Sequence, residues 1–313
     1  MIISASRRTD IPAFYTPWFM NRIREGFLLT RNPYNFNQVR RVSLNPADVD
    51  VIVFWTRNPK MLMRHLGELD ERGFHYYFQY TITGYPKILE GSVPRPHHAI
   101  DTFIQLSDNI GADKVIWRYD PILVSNIVDI DEHKRLFSKI ATLLRGKTKR
   151  VVISFADLYK KTESNLAAVP GLQYEDIVND RLRLLDLAQW MATIARDNHM
   201  VVETCSEDID LYEAGIGHGK CIDDRLINAV FGLPLDAMKD PGQREACGCI
   251  RSIDIGTYNT CLHDCSYCYA TFNKQAIANN KKKHDPESPF LVGGTEGVEA
   301  KLLLPTLFQG SLF

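Results

Sequence analysis

Eight consecutive residues, Cys261-Leu262-His263-Asp264-Cys265-Ser266-Tyr267-Cys268, set three thiols at C-x3-C-x2-C spacing with an aromatic before the last. Thiolates are soft ligands suited to iron and zinc. A loop this tight can present three of them to three corners of a 4Fe-4S cube, leaving the fourth iron without a protein ligand. An open iron of that kind accepts a chelating small molecule. Zinc normally takes four protein ligands in a closed site; this loop supplies three cysteines, and His263 is poorly placed inside it to be a fourth. Disulfides are disfavoured for closely spaced thiols in a chain with no export signal.

Four further cysteines remain: Cys205, Cys221, Cys247 and Cys249. Four thiols suffice for a tetrahedral zinc or for a second, fully ligated 4Fe-4S cluster. The plain alternative is that two or three are small buried residues, as free cysteine often is.

The elements that must position these thiols are read from hydrophobic runs. Short β-rich stretches occur at Ile2–Ser6, Val51–Thr56, Tyr76–Thr81, Lys114–Tyr119, Val151–Phe155, Val201–Thr204 and Ser252–Ile255. Most lack strict alternation, as parallel strands covered on both faces do. Helical patterns fall between them at Pro17–Arg24, Pro59–Arg72, His97–Ile110, Asp131–Leu144 and Arg181–Asn198. This alternation predicts an α/β fold with parallel strands and crossover helices, closed into a (β/α) barrel or a partial barrel. Residues 1–285 form that unit; 286–313 read as a Gly-rich linker and tail. Cys205 then ends one strand, and the Cys261 loop follows the last. Both lie at the strand ends where such folds handle ligands.

The chain has 313 residues and a net charge of −1, which disfavours bulk electrostatic attachment to nucleic acid. No apolar run has the length of a membrane span, so no membrane association is expected. The opening MIISASRRTD lacks the layout of a signal peptide. Together with seven cysteines, this points to a reducing cytoplasm.

The cysteine loop resembles that of radical S-adenosylmethionine (SAM) enzymes. The resemblance implies that the open iron binds SAM and that Tyr267 lies near the adenine. In that family the loop usually follows the first strand; here it lies near the C-terminus, which implies circular permutation. Ser4-Ala5-Ser6-Arg7-Arg8-Thr9-Asp10-Ile11-Pro12 and Phe54-Trp55-Thr56-Arg57-Asn58-Pro59 resemble the next two strands of spore photoproduct lyase-like enzymes. Arg57 stands where those have a lysine close to SAM. The opening SASRRTDIPAFY, the segment WRYDP, and CGC followed by DIGTYNTCLHDCSYCYA resemble the domain of unknown function 1848 family more closely still. That likeness supports the architecture and implies no substrate.

On this reading Cys261, Cys265 and Cys268 hold the cluster. Arg57, Thr81 and Arg118, at strand ends, contact the SAM carboxylate or ribose, with ion pairing in the barrel end as the plain alternative. Tyr269 is a second candidate beside Tyr267. Asp10, Asp120 and Glu203 receive substrate or orient the arginines, and Arg7 and Arg8 add positive charge for an anionic substrate. The run Lys281-Lys282-Lys283-His284 reads as a solvated helix end. The last residues, Gln309-Gly310-Ser311-Leu312-Phe313, resemble the short peptide with which bacterial repair proteins dock on the DNA sliding clamp.

The expected activity is therefore reductive cleavage of SAM, in DNA lesion repair, with a flavodoxin-like electron donor. Two alternatives stay open. One is the same chemistry on a peptide, tRNA or small metabolite; the other is a non-catalytic binding protein stabilised by zinc or iron–sulfur.

Overall fold

The computed structural model describes residues 1–32, 35–205 and 209–304. The elements run β1 (Ile2–Ala5), α1 (Ile11–Phe14), α2 (Thr16–Glu25), β2 (Phe27–Asn32), β3 (Asn35–Ser43), β4 (Val51–Thr56), α3 (Leu66–Glu71), β5 (Tyr76–Thr81) and α4 (Pro96–Ile110). They continue with β6 (Val115–Ile122), α5 (Ile130–Leu143), β7 (Arg150–Phe155), α6 (Lys160–Ala167), α7 (Arg181–Asp197) and β8 (Val201–Thr204). The last are β9 (Gly217–His218), α8 (Asp224–Phe231), β10 (Ile253–Asp254), α9 (Lys274–Lys283) and α10 (Ala300–Leu303).

Eight strands form one parallel sheet in the order β10-β1-β4-β5-β6-β7-β8-β9. The α/β class and the parallel crossovers are as the sequence implies. The sheet does not close into a barrel. Its edge strands β9 and β10 are two residues each and pair only inward, with β8 and β1.

Side chains alternate along each strand, and both faces are buried. Ile3, Ile52, Phe54, Phe78, Trp117 and Ile153 join the larger core with the helices. Ile2, Val51, Val53, Tyr77, Ile116 and Val152 point the other way and pack on Cys221, Ile222, Ile227, Cys247, Cys249 and Ile250. The chain between β9 and β10 thus fills the concave face of the sheet. That filling accounts for the apolar, non-alternating strand sequences.

Some differences from the sequence reading have local causes. Pro59–Arg72 is a 3-10 turn, Leu62–His65, followed by α3, because His65 leaves helical geometry (φ −115°, ψ 2°). The antiparallel hairpin β2–β3 lies outside the main sheet and packs on Phe290, Val298, Leu302 and Leu303. Trp18 Nε1 donates to Ser288 O (2.9 Å) and Leu29 N to Pro289 O (2.9 Å), so the segment after residue 286 lies against α2 and the hairpin. Lys281–Lys283 occupy the last turn of α9, where they complement the helix dipole. Residues 309–313 lie outside the described residues. Among the described residues no helix is long and apolar enough to cross a membrane.

Candidate functional site

A cavity of about 310 Å³ lies across the C-terminal ends of the sheet strands, and all seven cysteines line it. Its volume falls at the lower end of small-molecule pockets, roughly 300–1,000 Å³. Parallel strands place all their C-terminal ends on one side, so residues far apart in sequence meet there.

The Cys261–Cys268 loop follows β10 and is held by backbone from the segment after β5. Gly91 N donates to Asp264 O (3.2 Å), Ser92 N to His263 O (2.9 Å) and Ser266 N to Leu89 O (2.9 Å), and Glu90 bridges to Cys265. Asp264 turns the loop in the left-handed region (φ 54°), which Asp tolerates better than most residues. A Cβ on Gly91 would stand 2.8 Å from the Asp264 carboxylate, so glycine there permits the close approach.

Asp10 anchors the same loop from below. Its Oδ1 caps α1 at Ala13 N (2.9 Å) and accepts from Thr56 Oγ1 (2.8 Å). Its Oδ2 accepts from Arg57 N (2.7 Å) and faces His263 Nε2 (2.7 Å). Asp10 is therefore a positioning group for β1, β4 and the cysteine loop together. Asp254 in β10 does similar work, taking Ser4 Oγ (2.8 Å), Ser6 Oγ (2.7 Å) and Arg7 N (2.9 Å).

Arg57 and Tyr267 lie together in the cavity wall. Arg57 Nη1 pairs with Glu90 Oε1 (2.7 Å), and Nη2 donates to Tyr267 Oη (2.5 Å). Tyr267 Oη and Thr83 Oγ1 (2.6 Å) donate to the same Glu90 oxygen. Glu90 is buried and was not singled out in the sequence; it is an acidic residue in a turn, paired with residues 33 and 177 positions away. Tyr267 also packs edge-on against Tyr85 (5.8 Å between centroids). Tyr269 is half exposed at the mouth and donates to Arg7 O (2.9 Å).

Burial pushes the Cys261 thiol up to about 12, with Asp10 adding to the shift. Burial also raises Cys265 well above the ordinary thiol range, against the opposing charge of Arg57. Ligand thiolates at these positions call for a compensating cation, and binding one displaces their protons.

On the opposite wall Cys205 Sγ and Cys221 Sγ stand 2.8 Å apart, and Arg118 Nη1 donates to Cys221 Sγ (2.8 Å). Cys221, Cys247 and the Arg7 guanidinium beside Cys249 drive its pKa down. The Cys221 contact brings Cys205 down to about 7, whereas the donors Cys221 and Cys247 are raised. Arg118 is further held by Asp120 Oδ2 (2.6 Å) and Gln79 Oε1 (3.3 Å), and Asp120 also accepts from Ser154. Thr81 and Arg8 also line the cavity. Glu203 does not; it pairs with Arg150 (3.2 Å) and Arg225 (3.5 Å) away from it.

Among the described residues no group of three or more His, Cys, Asp or Glu side chains stands ready-made to hold a metal ion. The cavity walls nonetheless leave polar atoms unanswered. Arg7 Nη2, Thr162 Oγ1 and His263 Nδ1 belong to lining residues, are buried, and have no hydrogen-bond partner. Each such atom costs about 1–3 kcal/mol, which a polar ligand would recover.

The molecule is thus an α/β protein with an open eight-stranded parallel sheet and a cysteine-walled cavity at its strand ends. It belongs to the family described as domain of unknown function (DUF1848), whose model matches residues 2–270, from β1 through the whole cysteine loop. No curated protein and no solved structure matches the chain significantly.

Proposed function

We propose that this protein is an enzyme that cleaves SAM reductively, using a 4Fe-4S cluster held by Cys261, Cys265 and Cys268. The observation that carries the reading is the convergence of this three-thiol loop with buried cationic side chains and unanswered polar atoms on one ligand-sized cavity. Cys261, Cys265 and Cys268 would hold the cluster, which would supply the chemistry of one-electron reduction to a bound SAM, the electron coming from an external donor.

The chain's own residues have narrower tasks. Leu89–Ser92 and Asp10 hold the loop; Glu90 fixes Arg57 and Tyr267 against it. Arg7, with Nη2 unanswered, is the donor for an anionic group of the ligand. Burial of the walls excludes water from a reactive radical. The place of β10 beside β1, with the cysteine loop directly after it, supports a permuted radical SAM arrangement in which β10 is the displaced first strand.

Nucleic acid is the substrate class we favour, and damaged DNA the instance. Beside the cavity mouth, cations lie over exposed or half-exposed aromatic rings: Arg8 over Tyr258 (5.2 Å), Lys161 over Phe272 (3.9 Å) and Arg244 over Tyr159 (5.3 Å). Aromatic platforms interleaved with positive charge suit unstacked bases and phosphates. The tail Gln309–Phe313 would bring the enzyme to DNA through the sliding clamp, and a flavodoxin-like protein would supply electrons.

The test is electron paramagnetic resonance of the anaerobically reconstituted, reduced protein with and without SAM. The reading requires a 4Fe-4S signal that shifts on adding SAM and is lost in Cys261/Cys265/Cys268→Ala. A cluster signal indifferent to SAM would refute it. Single-stranded DNA should bind the parent more tightly than Lys161→Ala/Phe272→Ala by about tenfold, since stacking contributes about 1–3 kcal/mol per base.

A further inference from the structure

The cysteines on the far wall have a different geometry and call for a different occupant. We propose that Cys205, Cys221, Cys247 and Cys249 bind one zinc ion, which fastens together the two edges of the open sheet.

The four thiols come from both sides of the gap. Cys205 follows β8, and Cys221 lies in the loop after β9. Cys247 and Cys249 belong to the strap that returns to β10 and the opposite edge. Three of the four are almost fully buried: Cys221 at 3%, Cys247 at 6% and Cys249 at 2% exposure. The gap is narrow. Ile250 N donates to Ile222 O (3.2 Å) and Ile222 N to Cys249 Sγ (3.4 Å), so the strap already lies against the loop that carries Cys221. Tyr77 Oη (2.6 Å) and Gln79 Nε2 (2.9 Å) donate to Cys221 O and fix that loop on the concave face of the sheet.

Spacing selects a single ion over a second cluster. Cys205 Sγ and Cys221 Sγ already stand 2.8 Å apart, Cys249 Sγ accepts from the backbone of Ile222 next to Cys221 (3.4 Å), and Cys247 is two residues from Cys249. Zinc–sulfur bonds of about 2.3 Å put tetrahedral sulfurs about 3.8 Å apart, a modest opening of this group. A cube with one iron for each thiol would hold them much farther apart and would have to push β9 and the strap away from each other.

The surroundings also suit thiolate ligands. Arg118 Nη1 donates to Cys221 Sγ (2.8 Å) and Ile222 N to Cys249 Sγ (3.4 Å), while the positive charge of Arg7 lies near Cys249. Donors aimed at ligand sulfur orient it and offset the negative charge of a four-thiolate site. A zinc with four protein ligands leaves no open position, so its role is structural. It does for β9 and β10 what backbone pairing does between the other neighbours in the sheet.

The proposal stands apart from SAM chemistry, and the test keeps them apart. Zinc and iron are measured by mass spectrometry in the parent protein, in Cys261/Cys265/Cys268→Ala and in Cys247→Ser/Cys249→Ser. Expected is one zinc per chain in the first two, falling by at least about tenfold in the third. Zinc-free parent protein would overturn the proposal. So would zinc retained in Cys247→Ser/Cys249→Ser, or iron that persists in the first variant with a cluster spectrum. Should Cys247→Ser/Cys249→Ser not fold, cobalt is exchanged into Cys261/Cys265/Cys268→Ala. Tetrahedral cobalt bands with thiolate charge transfer support the site, and their absence overturns it.

Discussion

The two groups of thiols face each other across one cavity, yet the chain assembles them in opposite ways. Cys261, Cys265 and Cys268 sit in one short loop, held by backbone hydrogen bonds from Leu89–Ser92 and by Asp10. Cys205, Cys221, Cys247 and Cys249 come from three separate segments and meet because the sheet stays open and the chain folds back into it. The first group opens directly onto the cavity. The second is compact, closed by its own contacts and flanked by arginines. One arrangement is suited to chemistry and the other to holding the sheet edges that shape the site.

The sharpest way to break this contrast is at Glu90, which joins the first group to the sheet. Glu90→Ala leaves Arg57 buried without its carboxylate and frees Tyr267. Removing one partner of a buried pair costs about 3–5 kcal/mol, so chemical denaturation should show a loss of that size, and SAM affinity should fall with it. A loss near zero would mean that Glu90 does not brace the loop.

The four-cysteine group should respond more mildly and without a change in ligand affinity. Cys247→Ser/Cys249→Ser, or treatment with a strong chelator, should lower stability by about 2 kcal/mol. In a chain of this size that is roughly 3 °C in thermal midpoint. An unchanged midpoint would remove the fastening role.

Arg118 belongs to the wall of the four-cysteine group. Arg118→Lys keeps the charge but cannot reach Asp120, Gln79 and Cys221 together. It should weaken stability by about 1–2 kcal/mol, and the part carried by the contact with Cys221 should vanish in a Cys221→Ala background.

A control that touches no cysteine of either group is His133, buried between Tyr119 Oη (2.9 Å) and Leu123 O (3.1 Å). Burial lowers its pKa to about 4, so the unfolded chain takes up its proton first as pH falls. The stability it confers is complete above about pH 6.5 and is lost between there and about pH 4, a loss of up to about 3 kcal/mol. Replacement by Gln should flatten that part of the pH–stability curve. The same slope in His133→Gln would assign it to other groups.

What the sequence revealed follows from this contrast. Val51–Thr56, Tyr76–Thr81 and Val201–Thr204 are strands over the spans expected, because β-branched and aromatic runs covered on both faces carry a strong local signal. The cysteine loop was legible for the same reason: its residues are neighbours. β9, a Gly-His pair, has no periodicity to read, and the polar, arginine-rich β3 has a weak one. The open sheet was not legible either, since closure depends on what fills the concave face, and Ile222, Ile227 and Ile250 carry no mark of that use. Glu90 and Asp254 act through partners far along the chain, so no window of sequence shows them as part of a site.

The central claim is that the three-thiol loop supports reductive cleavage of SAM, and product analysis tests it most directly. Protein reconstituted anaerobically with iron and sulfide, reduced with dithionite and given SAM should form 5′-deoxyadenosine, and Cys261/Cys265/Cys268→Ala should form none. A parent protein that carries an intact cluster, binds single-stranded DNA and still yields no 5′-deoxyadenosine would contradict the account.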